Sequence, residues 1–144
     1  MIIEDFFNNF PYLVVPGNRN EVAQALENIP DNGKYPVLVL TEPFSWNDRP
    51  TYREYENVRV ILAHITEAER RSPERTAKVY KTVLYPMLNE FDMYCQNNSI
   101  YFNRGKRTKR PYISEGDANV NNDLWDAFTI DFNINITKKE LCQK

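Results

Sequence analysis

Glycine and histidine are scarce in this chain, and their scarcity excludes common catalytic and nucleotide-binding sites. The 144 residues include 4 glycines, and neither a dinucleotide fingerprint nor a P-loop occurs, since both motifs need closely spaced glycines against a phosphate. His64 is the single histidine. It ends a predicted strand, and the sequence places no nucleophile beside it, so we expect a structural role rather than a catalytic triad.

Cysteine is equally rare, and long apolar runs are absent. Cys95 lies inside a predicted helix and Cys142 close to the last residue, so we expect two reduced thiols, no disulfide framework and too few ligands for a metal site. No run approaches the roughly 20 apolar residues that cross a bilayer. Residues 1–5 also lack the basic and apolar parts of a signal peptide. We therefore expect a cytoplasmic protein that has no membrane contact.

The composition is that of a folded protein. Hydrophobic residues make up 42% of the chain and aromatic residues 13%, which is too much for a disordered protein, while the mean hydropathy of -0.63 is typical of a soluble one. A chain of this length fits a single domain, which we place over residues 1–144. The net charge of -2 argues against a general nucleic-acid binder.

Carboxylates form one small cluster in the sequence. Glu54 and Glu56 share a face of a predicted strand and Asp48 is close by, and paired carboxylates can bind a divalent cation or divide acid and base roles. The lysine or third acid that a nuclease would place at a fixed spacing is missing, so we interpret the cluster as a solvated strand face. We therefore predict no catalytic residue, no metal and no cofactor, and we do not expect an enzyme.

Periodicity predicts the main elements. Phe128 to Ile136 alternate apolar and polar residues, which indicates a strand with one buried face. Ser72-Pro73-Glu74 is a typical helix start, and an apolar stripe then continues to Tyr94. We expect Pro86 to kink this helix near Thr82 or Val83 rather than to end it. The remaining expected elements are a helix within 1–13 that ends at Pro11, a helix at 21–27, strands at 37–40 and 52–64, and a connecting loop at 41–50.

The segment from Arg104 to Arg110 is the most distinctive local feature, because five of its seven residues are cationic. Short aromatic segments stand on either side of it, so we expect a basic hairpin-like loop at about 103–111. Three interpretations stay open: a solvated hairpin tip, a surface that docks on an acidic partner, and a contact with DNA phosphates.

The order of these elements predicts an α+β fold, an α/β sandwich. We expect a mainly antiparallel sheet of about four strands, covered on one face by the long helix and the N-terminal helix. Such a sheet has an uncovered face, so we also expect an oligomer.

Three segments resemble the tail-terminator and tail-completion proteins of long-tailed phages and prophages. They are residues 52–60, residues 83–91 with their internal Pro86, and the closing strand at 128–136. The resemblance implies a structural virion protein of the phage neck, assembled in the host cytoplasm. A ring, commonly of six subunits in that family, caps the tail tube and meets the head-side connector. A head-completion protein of the same neck and a DNA-binding accessory protein are the alternatives.

The family carries no motif residue onto particular positions of this chain, so the choice of contact residues depends on local chemistry. Loops held on a rigid sheet make most such contacts. We therefore expect the basic loop and the 44–53 loop to reach copies of the chain, the tube protein, the connector or DNA. The predicted contact residues are Arg104, Lys106, Arg107, Lys109, Arg110, Phe44, Trp46, Arg49 and Arg53.

Overall fold

A computed structural model describes residues 2–29, 35–66, 72–113 and 125–138 of the chain. Six strands form one sheet, in the order β1-β2-β4-β6-β5, with β3 paired to β4 beside β2. The strands are β1 (Leu13–Gly17), β2 (Val37–Thr41), β3 (Ser45–Asp48), β4 (Tyr52–Ile65), β5 (Tyr101–Ile113) and β6 (Trp125–Thr137). None of the described helices is long and apolar enough to span a membrane.

The helices are short before β2 and long after β4. Two short helices, α1 (Ile3–Phe6) and α2 (Arg19–Glu27), flank β1. The long helix is continuous and has three parts, an α-helical turn α3 (Ser72–Arg75), a π-helical segment (Thr76–Leu84) and α4 (Tyr85–Asn98). Asn18 caps α2 in a capping box, since its Oδ1 accepts the backbone N–H of Glu21 at 3.0 Å and its own N–H donates to Glu21 Oε1 at 2.9 Å.

The expectation of about four strands in a mainly antiparallel sheet is wrong. The sheet has six strands and is mixed, because β1 pairs with β2 in parallel while the other pairs are antiparallel. Sequence reasoning recognised no strand at β1, which it left between the first two helices, and it assigned the residues of β3 to a loop. Both strands are short, at 5 and 4 residues, and short runs give little periodicity with which to separate strand from helix or loop.

Helices cover parts of both faces of the sheet, so the expectation of one covered face is also wrong. One face, packed by α1 and the long helix, contains the alternating apolar residues of β6 from Phe128 to Ile136, as predicted. The opposite face is packed by Val22 and Leu26 of α2, over β1, β2, Ile61 and Ala63 of β4, and the start of β6. We call this second face the open face, since its remaining part carries polar side chains.

The long helix continues through Pro86, as predicted, and a π-helical segment ends just before this residue. The N–H of Tyr85 donates to the carbonyl of Tyr80, five residues earlier, and Thr82 Oγ1 donates to the Ala77 carbonyl at 2.7 Å. Pro86 then stands in the first turn of α4, so the hydrogen bond that it cannot donate falls where the helix changes from π-helical to α-helical geometry. The change in helix geometry therefore accommodates the proline without ending the apolar stripe.

Candidate functional site

The basic segment belongs to a strand, which corrects the prediction of a hairpin-like loop at 103–111. Residues 101–113 form the single strand β5, which lies at an edge of the sheet and pairs with β6. The short apolar segments that were expected to pair with each other are the two ends of this one strand. Its five cations are therefore spread along a sheet edge instead of gathered at a tip.

A bulge in β5 explains why Gly105 lies in the middle of the cationic run. The register to β6 shifts between Asn103 and Lys106, and Gly105 has a φ of +63°. A Cβ at this position would lie 1.8 Å from the carbonyl oxygen of Asp131, so the two backbones approach more closely than any side chain allows. Asn103 Oδ1 accepts the Gly105 N–H at 3.0 Å and stabilises the bulge.

Two cations of β5 point to the long helix and have partners there. Arg107 pairs across the strands with Ile130 and forms a bidentate ion pair with Asp92 of α4, with Nη1 to Oδ2 at 2.9 Å. Lys109 places its Nζ 4.4 Å from the ring centre of Tyr80, within cation–π range. These two side chains attach the edge strand to the helix layer, a role that the sequence did not indicate.

Two of the other three cations lie on the open face. Lys106 and Arg110 pair with Asp131 and Ala127, which are open-face residues, so they share that face. Arg104 lies in the bulge, and both Arg104 and Lys106 are exposed. The predicted contact residues of β5 therefore fall into two groups, and Arg104 and Lys106 are the cations best placed to meet another molecule.

The 44–53 segment, predicted as a loop, forms the hairpin of β3 with the start of β4. Trp46 pairs across the strands with Tyr55, and its ring lies 6.2 Å from that of Phe44. The guanidinium of Arg53 sits 5.2 Å from the Trp46 ring. Phe44 packs against the core, whereas Trp46 is 44% exposed. The structure therefore brings together three predicted contact residues, Phe44, Trp46 and Arg53, and leaves the Trp46 ring at the surface.

Ion pairs stabilise this hairpin. Arg53 Nε lies 3.0 Å from Asp48 Oδ1, Lys138 Nζ lies 3.2 Å from the same oxygen, and Arg49 Nη2 lies 3.2 Å from Glu54 Oε1. Asp48 accepts a hydrogen bond from Lys138, and this bond lowers the pKa of its carboxyl below the ordinary value. The positive charges of Lys138 and Arg53 lower this pKa further. We call residues 42–56 the acidic ribbon, because they hold four acids and two cations and both cations are paired within the ribbon.

A cleft of about 500 Å³ lies on the open face beside the basic strand. Arg59 and Asp131 form a bidentate pair across it, at 2.8 Å for Nε to Oδ1 and 3.3 Å for Nη2 to Oδ2. The remaining described lining residues are Thr41, Glu42, Pro43, Asn57, Ile61, Arg110 and Thr129. The lining has two acids and two arginines, so the cleft has no strong preference for a charge of one sign.

Buried polar residues cluster where β4 and β6 meet the start of the long helix. Asp126 is fully buried, lies opposite His64 in the β4–β6 register and lies 3.3 Å from Arg75, measured from Oδ1 to Nε. The sequence singled out His64 but missed Asp126, although an acid inside the apolar run Trp125 to Phe128 is the signal that marks it. Among the described residues, no group of three or more His, Cys, Asp or Glu side chains is placed to hold a metal ion.

The chain was also compared with known proteins. No protein-family model matches it, and no curated protein matches it.

Proposed function

We propose that this chain is a structural virion protein of a phage neck, which forms a ring that caps the tail tube and joins it to the head-side connector. The observation that carries the proposal is β5, a strand of 13 residues at the edge of the sheet. Among the described strands, only β6 pairs with it. A long strand with one unpaired side is a ready surface for assembly with another chain.

Three further features support an assembly role. The polar part of the open face is left uncovered by the described helices, the acidic ribbon exposes Trp46, and the first residues of the β5 region expose Ile100 and Tyr101. Aromatic side chains at a surface are frequent anchors of protein interfaces. A single chain leaves these side chains in water, whereas a ring of copies buries them.

The proposal is tested on the purified protein and on tube assembly. We expect a ring in negative-stain images and in sedimentation at micromolar concentration, alone or with the tube protein. Added to polymerising tube protein, the chain should stop elongation and be found at one end of each tube. A monomer that leaves tube length unchanged would contradict the proposal.

The two alternative functions predict different results with isolated heads and tails and with DNA. A head-completion protein of the same neck would remain on heads isolated without tails, whereas a terminator would remain on tails isolated without heads. A DNA-binding accessory protein has less support, because Arg107 and Lys109 already contact Asp92 and Tyr80. It would bind duplex DNA with a steep salt dependence, which neutralising the five cations of β5 would abolish.

A further inference from the structure

The two sides of the β4–β6 pair carry charge of opposite sign. β4 pairs with β6 along one side and with β3 along the other, so β3 and β5 lie on opposite sides of the β4–β6 pair. β5 holds five cations and no acid, whereas the acidic ribbon holds four acids and two cations. The net charge therefore changes sign from the basic edge strand β5 to the acidic ribbon on the other side of this pair.

This polarity disfavours contacts between like edges. Two basic strands that met edge to edge would place cations opposite cations, which destabilises strand pairs. An acidic surface that complements β5 exists within the same chain, because residues outside β5 hold all 20 acids and 13 of the 18 cations. A second copy therefore offers the basic edge an acidic partner, provided that it approaches with its acidic ribbon.

From this arrangement we infer that copies of the chain associate head to tail, with the basic strand β5 of one copy against the acidic ribbon of the next. The inference rests on the proposed function and names its self-association surface. Contacts of this heterologous kind close into rings when the rotation between neighbours permits. The charges orient each copy, and exposed Tyr101 on one edge and Trp46 on the other supply apolar area to bury.

Individual residues at each edge are available for this contact. Arg104 and Lys106 are exposed on the basic side, and Glu42 and Glu56 are exposed on the acidic side. No ion pair to any of these four side chains occurs among the described residues. By contrast Arg107, Arg49 and Arg53 already have acidic partners within the chain, so the test uses the first four residues.

The test is a charge exchange between two double variants, followed by sedimentation velocity at micromolar concentration. The basic-edge variant carries Arg104→Glu with Lys106→Glu, and the acidic-edge variant carries Glu42→Lys with Glu56→Lys. Each variant alone sets like charges against each other at the exchanged positions of every contact, so its dissociation constant should rise by roughly tenfold or more. An equimolar mixture restores opposite charges at these exchanged positions in an alternating ring, so assembly should return.

A matched control separates a local effect from a change in total charge. The control variant carries Lys78→Glu with Lys81→Glu on the exposed side of the long helix, which changes the charge by the same amount as the basic-edge variant. It should leave assembly unchanged, and circular dichroism should show that all variants fold.

Rings that survive both edge variants would overturn the head-to-tail inference but leave the proposed function standing. Edge variants that dissociate without recovery in the mixture would also overturn it. A wild-type chain that stays monomeric with tube protein would overturn both.

Discussion

Arg75 and Asp126 form a buried ion pair that joins the start of the long helix to strand β6. Arg75 Nε lies 3.3 Å from Asp126 Oδ1, and the two side chains are 9% and 0% exposed. A buried pair of this kind is sensitive to the loss of one partner, because the remaining charge is left without compensation in a medium of low polarity. The pair therefore links helix packing to the integrity of the sheet.

Replacing Asp126 should destabilise the fold far more than replacing a half-buried acid of the same strand. We expect Asp126→Asn to lower the free energy of unfolding by about 3 kcal/mol, since the neutral amide removes one charge of a buried ion pair. Asp131→Asn is the control, because its pair with Arg59 is partly solvated and should lose about 1 kcal/mol or less. Urea denaturation measures both variants, and equal losses would contradict the assignment.

Substitution of Gly105 should destabilise the protein because of its close contact with the backbone of β6 as well as its positive φ. We expect Gly105→Ala to lower the free energy of unfolding by more than about 2 kcal/mol, because the added Cβ meets the Asp131 carbonyl and the φ of +63° strains an alanine. Asn tolerates this region of φ better than alanine does. If the close approach dominates, Gly105→Asn will be destabilised as much as Gly105→Ala; recovery in the Asn variant would show that φ alone matters.

Tyr80 should make the protein sensitive to alkaline pH. Burial, reinforced by the charge of Asp126, raises the pKa of its hydroxyl above the ordinary value of 10.0. The unfolded chain then loses this proton at lower pH than the folded protein does, so stability present below about pH 10 is lost as the pH rises further.

Tyr80→Phe provides the measurement. At pH 7 the variant should lose about 1 kcal/mol, because the hydroxyl donates to the Ala127 carbonyl at 3.3 Å. The aromatic ring next to Lys109 is retained. Denaturation curves between pH 8 and pH 11 should show the difference between wild type and variant shrinking above pH 10, and a constant difference would refute the role of the hydroxyl.

Cys95 should be inert in the native protein. Its side chain is fully buried, and burial raises the pKa of the thiol above its ordinary value of 9.0. At pH 8 the native thiol is therefore both protonated and inaccessible, and thiolate is the reactive form. Mass spectrometry of the peptide that contains Cys95, after brief alkylation, should show at least about a hundredfold slower labelling than in urea. Comparable rates would contradict the packing of this helix.

Some elements could be predicted from the sequence because their signals are local. All four residues from Val37 to Leu40 are buried, as the unbroken apolar run indicated, and the strand predicted at 52–64 is β4, Tyr52–Ile65. The first helix was predicted too long, since α1 ends at Phe6 and the apolar residues that follow enter a turn and β1. Cys142 lies outside the described residues.

The sequence by itself determined which segments alternate, which face of each is apolar and where cations gather, because these properties depend on neighbours one to four residues apart. Only the tertiary structure decided that the basic segment is the edge strand β5, that Arg107 meets Asp92 and that Asp126 lies opposite His64. These contacts join residues far apart in the chain, and their geometry follows from the order of strands in the sheet. A local pattern does not contain that order.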